Sequence, residues 1–180
     1  MVKHVGARLK RKEDPKLLSG NGNFADDIQL PGLLHAAILR SPHAHALIRK
    51  INIEKALQAP GVVAIYTGKD LEGKIGRIPS SWLVPDANLK EAPQFPLAID
   101  RARYVGDGIV LVIAEGRYAV RDVLDLIEVE YETLPVAVNQ KEAMAEHAPL
   151  VHDDIENNIA LHWKAGEVDD ADIDGAEVVV

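Results

Sequence analysis

Three features of the sequence predict an α+β fold. Two strand-like runs lie close together near the start, Leu33–Ser41 and Leu47–Ile53. An unbroken apolar run follows much later, Ile109–Ala114, and a single stretch of helical period, Arg117–Ile127, comes directly after it. The implied order is β-β-α-β, a long loop, β-α-β, and a C-terminal linker.

Taken in order, "LLHAAILRS" follows the turn signal "LPG" and reads as a largely buried strand, and "LIRKINI" reads as a second. Asn52 is placed to cap a short helix, "IEKALQA", which Pro60 and Gly61 stop before a third strand, "VVAIYT". From Gly68 to Pro96 no period persists, and Pro79, Pro85, Pro93 and Pro96 punctuate the stretch. A loop of that length in a compact domain tends to be functional or to pack on a partner, and Trp82 and Phe95 are its candidate apolar anchors.

Order returns at "YVGDG", a turn, and then "IVLVIA", predicted to be the central strand and to be covered on both faces. Beyond Gly116, Val120, Val123, Leu124 and Ile127 fall at i, i+3, i+4 and i+7, the apolar stripe of an amphipathic helix. In "EVEYET" the carboxylates of Glu128, Glu130 and Glu132 alternate with Val129, Tyr131 and Thr133, so all three share one strand face, expected to be solvated. Pro135 ends that strand and "NQKEAMAEH" reads as a short helix. The sequence ends on three valines, an apolar strand that would leave backbone groups unpaired; we expect either further chain beyond Val180 or a partner that completes it. Turn-forming and acidic residues between Pro149 and Asn158 mark a boundary.

Composition closes several functional classes. The chain has 180 residues, of which 47% are hydrophobic and 27% charged, proportions that can build a real core. A formal net charge of -8 argues against nucleic acid or an anionic membrane as partner. The absence of cysteine removes disulfides, thiolate metal sites, cysteinyl iron–sulfur clusters and a cysteine nucleophile. No apolar run approaches the roughly 20 residues of a membrane span, and the basic N-terminus lacks the apolar segment of a signal peptide, which predicts a cytoplasmic protein. Lys3, Arg8, Lys10, Arg11, Lys12 and Lys16 are interrupted by Glu13 and Asp14 and have no aromatic residue among them, so a solvated arm is expected there.

The motifs with chemical potential are each incomplete. His43 and His45 in "SPHAHA" have the H-x-H spacing that puts two imidazoles on one face of an extended strand, yet no third ligand lies near in sequence. His45, set between alanines, is the one expected to be buried, and both read as structural. Gly20 and Gly22 lack the strand that precedes a phosphate-binding turn, and "YVGDG" is followed by a strand where a dinucleotide fingerprint needs a helix. Asp170, Asp172, Asp174 and Gly175 imitate the opening of a calcium loop, but the bidentate glutamate would fall beyond Val180. His152 with Asp153 and Asp154 reads as a surface turn. These residues give no self-contained active site.

The segments "GARLKRKEDPKLLSGNGNFADDIQLPGLLHAAILRSPHAHALIRKI", "APGVVAIYTGKDL", "PLAIDRARYVGDGIVLVIAEGRYAVRDVLDLIEVEYETLPVAV" and "PLVHDDIENNIA" resemble, in that order, the N-terminal part of the large molybdenum-binding subunit of the xanthine dehydrogenase, aldehyde oxidase and aerobic carbon monoxide dehydrogenase family. The resemblance implies an N-terminal arm over 1–19, an α/β hammerhead domain over 20–149, and a linker with the first strand of a molybdenum-cofactor domain over 150–180. It implies a molybdenum hydroxylase whose molybdopterin, often as the cytosine dinucleotide, lies outside these residues, with FAD and [2Fe-2S] clusters in partner subunits or domains. No catalytic, cofactor-binding or metal residue is therefore placed on this chain. The expected partners are the remainder of the molybdenum subunit and the FAD and iron–sulfur subunits, in an oligomer. Where relatives commonly read Glu-Pro after "YVG", this chain has Asp107 and Gly108, which frees a turn that proline would stiffen. A stand-alone hammerhead interaction module without catalysis is the alternative, and a calcium-responsive module built on "DADIDG" a third.

Overall fold

The computed structural model describes residues 5–79 and 89–163, together with Gly175 and Glu177. The chain divides into two compact units, Met1–Leu34 and His35–Val180. In the first, helix α1 (Asp14–Leu18) opens on Pro15, whose missing N–H costs nothing in a first turn, and a 3-10 turn follows at Ala25–Asp27. The Asp27 carboxylate closes that turn by accepting the Phe24 N–H at 2.9 Å. Neither element buries a residue.

The second unit holds β1 (His35–Arg40), β2 (Ala46–Asn52), α2 (Glu54–Leu57), β3 (Val62–Thr67), α3 (Gly68–Leu71), β4 (Arg101–Ala102), β5 (Gly108–Ala114), α4 (Ala119–Leu124), β6 (Glu128–Thr133) and α5 (Gln140–Ala143). The strands form two antiparallel three-stranded sheets, in the orders β1-β5-β3 and β4-β2-β6. The apolar run at 109–114 is the central strand of the first sheet, as its composition predicts.

Val112 of β5 pairs with Ala37 of β1 and Ile65 of β3, so one cross-strand row points all three into the core. Helix α4 packs over the same face, burying Val120 and Val123, with Ile127 just beyond its end. Each such aliphatic side chain contributes roughly 1.5–3 kcal/mol when fully withdrawn from water. The opposite face of β5 differs from expectation. Ile109 is buried, but Leu111 and Ile113 are only half covered, and the two cross-strand neighbours of Leu111, Ile38 and Tyr66, are exposed.

Strand β1 also needs correction: it is not largely buried but alternates between half-buried and exposed positions along its whole length. The cause is its place at the sheet edge, with one face on the core and the other open. Sequence periodicity missed three short elements, α1, α3 and β4. Helix α3 occupies the start of what reads as a long irregular loop, and its first residue explains why Gly68 is glycine: a Cβ there would run into the Ala98 carbonyl and lie 2.9 Å from the Ile99 Cα. The Asp70 carboxylate fixes the entry to α3 by accepting from both the Thr67 N–H and the Thr67 hydroxyl, each at 2.7 Å, and these bonds hold its pKa below the usual value. The N-cap of α2 is Ile53 and not Asn52, yet the Asn52 Oδ1 accepts the Glu54 N–H at 3.1 Å where the helix begins.

Gly68→Ala is expected to cost more than about 2 kcal/mol by overpacking against fixed backbone, whereas Gly76→Ala, where a Cβ meets nothing within 4 Å, stays within about 0.5 kcal/mol of the parent in urea denaturation.

Candidate functional site

Three polar stretches far apart in sequence, "RSPHAH", "DRARYVGD" and "VHDD", come together in the second unit. Ser41, buried at the end of β1, is the fastener. Its N–H donates to the Asp107 carbonyl at 2.8 Å, its own carbonyl accepts the Gly106 N–H at 2.8 Å, and its hydroxyl both donates to the His43 carbonyl and accepts the His43 N–H. Arg40 adds a bond from Nη1 to the Gly106 carbonyl at 2.8 Å. Gly106 itself has φ +94, a backbone state that only glycine adopts freely. Asp107 then turns its carboxylate inward to accept the Arg103 N–H at 3.0 Å, which closes the turn from within.

The two histidines do not form a ligand pair. Residues 42–45 make a bend, and β2 begins only at Ala46, so the extended geometry that H-x-H requires is absent. The His43 ring packs edge-on against Tyr131, with centroids 4.9 Å apart. His45 is buried, as its alanine neighbours suggest, and its Nδ1–H donates to the Pro135 carbonyl at 2.9 Å. Its Nε2 is buried without a partner, as are the Nε atoms of Arg101 and Arg103. Burial raises the Tyr131 phenol pKa, against a hydrogen bond with Ser41 that pulls it down.

Glu128, Glu130 and Glu132 do share the exposed face of β6. Each faces a cation from β2 or α2: Glu128 meets Lys55 at 2.7 Å, Glu130 meets Lys50 at 4.0 Å, and Glu132 pairs with Arg49. The Lys55 ammonium holds the Glu128 carboxyl below its ordinary pKa and is itself raised by it. These are solvent-exposed pairs of the kind that stabilise little. Arg49 and Lys50 are adjacent in sequence and Lys55 lies in α2, so the ladder is set by the β2–β6 pairing with its irregularity between Ile48 and Lys50.

His152 and Asp153 are not an isolated surface turn. Asp153 binds Arg101 at 3.0 Å and is lowered in pKa by that contact. His152 is lowered too, first by burial and then by the charge of Arg103, and so stays neutral below its usual range. Beside them opens a cavity of about 300 Å³, walled by Phe95, Asp100, Arg103, Tyr104, Asp107 and His152 among others. No stretch of sequence announces this cavity, because its walls come from positions 92 to 152. Phe95, predicted as an anchor, forms one wall.

The remaining candidates carry no chemistry. Gly20 takes a left-handed φ of +74 after α1, and a Cβ on Gly22 would strike Leu17 at 2.9 Å, so both serve the local turn. Arg8, Lys10, Arg11, Lys12 and Lys16 are exposed, with Arg11 bound to Glu13 at 3.5 Å. Lys3, Trp82, Asp170, Asp172, Asp174 and the terminal valines lie outside the described residues, and Gly175 is exposed. Among the described residues no group of three or more His, Asp or Glu side chains is arranged to hold a metal, and no helix is long and apolar enough to cross a membrane.

A family model described as "Aldehyde oxidase and xanthine dehydrogenase, a/b hammerhead domain" matches residues 19–135, more than half of the chain. The chain belongs to this hammerhead family. It is 35% identical to the carbon monoxide dehydrogenase large chain of Afipia carboxidovorans, across 97% of this chain and 22% of that one. It is 36% identical to the nicotine 6-hydroxylase large subunit of Paenarthrobacter nicotinovorans, across 98% of this chain and 21% of the relative. Among solved structures, reconstituted CO dehydrogenase from Oligotropha carboxidovorans superposes with a TM-score of 0.74 at 34% identity, over 96% of this chain and 22% of that chain. The chain thus spans about a fifth of the length of these relatives.

Relatives of the hammerhead chain include one named as a xanthine dehydrogenase molybdenum-binding subunit. The cavity beside His152 does not fit a molybdopterin dinucleotide. The cavity of about 300 Å³ is at the lower limit for a drug-sized ligand, and a pterin with an appended nucleotide is larger than that.

Two outcomes test this geometry. Ser41→Ala leaves the part-buried His43 N–H and carbonyl without their hydroxyl partner and is expected to destabilise by about 1–2 kcal/mol in urea denaturation. His152 in the folded chain is held below the ordinary histidine pKa of 6.5, so the unfolded chain binds the extra proton more readily. Stability is therefore expected to fall as pH drops below about 6.5, and His152→Gln to flatten that part of the stability–pH curve.

Proposed function

We propose that this chain is the hammerhead segment of the large subunit of a molybdenum hydroxylase, an oxidoreductase, and that it supplies packing and subunit contacts while residues outside these 180 carry the chemistry. One observation carries this reading: the match to carbon monoxide dehydrogenase runs through 97% of this chain but only 22% of the relative. A segment that aligns almost end to end with a fifth of a large enzyme subunit is one domain of that subunit's kind.

On this reading the molybdopterin, in its cytosine dinucleotide form, is bound by the remainder of the molybdenum subunit. FAD and [2Fe-2S] clusters belong to partner subunits or domains, and the assembly is a cytoplasmic oligomer. No residue of this chain is assigned to catalysis, to cofactor binding or to a metal. The arm over 1–19, the hammerhead domain over 20–149 and the linker over 150–180 remain the proposed divisions. The half-covered row Ile38–Leu111–Tyr66 on the first sheet supports a contact role, since an apolar row of this kind gains by being covered.

Sequencing the source DNA beyond the Val180 codon checks the proposal. A reading frame for a molybdenum domain, in frame or as a separate gene, is the expected result; its absence would leave a stand-alone interaction module in place of the enzyme.

A further inference from the structure

The cavity beside the 103–107 turn has walls of unusual electrostatic character. Arg103 is half-buried, yet among the described residues no carboxylate lies within ion-pairing distance of it, and its Nε is dry and unbonded. Its Nη1 makes a single long bond, to the Arg101 carbonyl at 3.3 Å. Asp107 lines the same cavity with only 8% of its surface exposed, and its carboxylate accepts the Arg103 backbone N–H. A guanidinium and a buried carboxylate thus face one space of about 300 Å³ without touching each other. Phe95 and Tyr104 add aromatic surface, and neutral His152 adds no charge.

Charge decides what fits. With Asp100 and Asp107 against Arg103, the lining is slightly negative, so an anion would gain one partner and meet two repulsive ones. A cation would pair with the carboxylates but leave Arg103 without an acceptor. A neutral planar group that carries an acceptor and a donor on one edge satisfies both sides, because its oxygen meets the guanidinium and its N–H meets Asp107.

We propose that this cavity is a binding site for a planar amide, held between Arg103 and Asp107 with its apolar body against Phe95 and Tyr104. The amide is either that of a free aromatic molecule or an Asn or Gln side chain from another polypeptide. The site goes beyond the role in a molybdenum hydroxylase and stands or falls independently of it.

Three probes of one shape separate the ligand classes: benzamide, benzoate and benzamidine, each titrated into the 180-residue chain and followed by the amide and His152 ring resonances in NMR. Benzamide is expected to bind saturably, with shifts centred on residues 103–107, and the two charged analogues at least roughly tenfold more weakly. Arg103→Gln is expected to weaken benzamide by a similar factor while the fold is retained in the backbone spectrum, and Phe95→Ala to weaken it less. Acetyl-glutamine methylamide distinguishes the sources: tighter binding than benzamide assigns the site to a polypeptide side chain, weaker binding to a free aromatic amide. Binding of neither amide, tighter binding of benzoate or benzamidine, or unchanged benzamide affinity in Arg103→Gln would overturn the proposal.

Discussion

The fold rests on the burial of β5 between two antiparallel neighbours. Within the first sheet this is the strand hydrogen-bonded along both edges, and it buries Val110, Val112 and Ala114 on the core face while Ile109 seals the other face at one end. Everything that shapes the polar site is measured from it. The 103–107 turn leads into β5, Ser41 ends the strand that pairs with β5, and Gly108 leaves room for Ile38 and Leu97 to close over its first residue. A chain that failed to bury β5 would lose the cavity along with the sheet.

The second sheet depends on this arrangement differently. Strand β2 lies between β6 and the two-residue β4, and most of its outward side chains are spent on the ion-pair ladder with Glu128, Glu130 and Glu132. Such a ladder sets register and solubility more than stability. Its inward residues, Ile48 and Ile51, lean on the common core. The two sheets thus divide the labour: one supplies the buried apolar mass, the other a charged outer surface and the Pro135 carbonyl that fixes His45.

Much of this was legible because hydrophobic period is a local property. The run at 109–114, the helix stripe at Val120, Val123 and Ile127, and the Asn52 oxygen at the start of α2 all declare themselves within a few residues. What was not legible depends on tertiary placement. Strand β1 reads as buried until its position at a sheet edge exposes Ile38; β4 is too short to show a period; α3 hides inside a stretch rich in glycine and proline. His43 and His45 suggest a metal only if the backbone is extended, and the bend at 42–45 removes that premise. The cavity is invisible in sequence for the same reason, since the turn that carries Arg103 and Asp107 meets His152 only through the tertiary fold. The family resemblance reached what periodicity could not, because it reads an ordered series of motifs across the whole chain.

On the proposed function, this hammerhead chain shapes and joins an enzyme without holding its redox centre. The most direct measurement is the molybdenum, pterin and flavin content of the purified 180-residue chain, by elemental analysis and absorption spectroscopy. The account predicts none of the three above trace level. One tightly held molybdopterin or flavin per chain would contradict it.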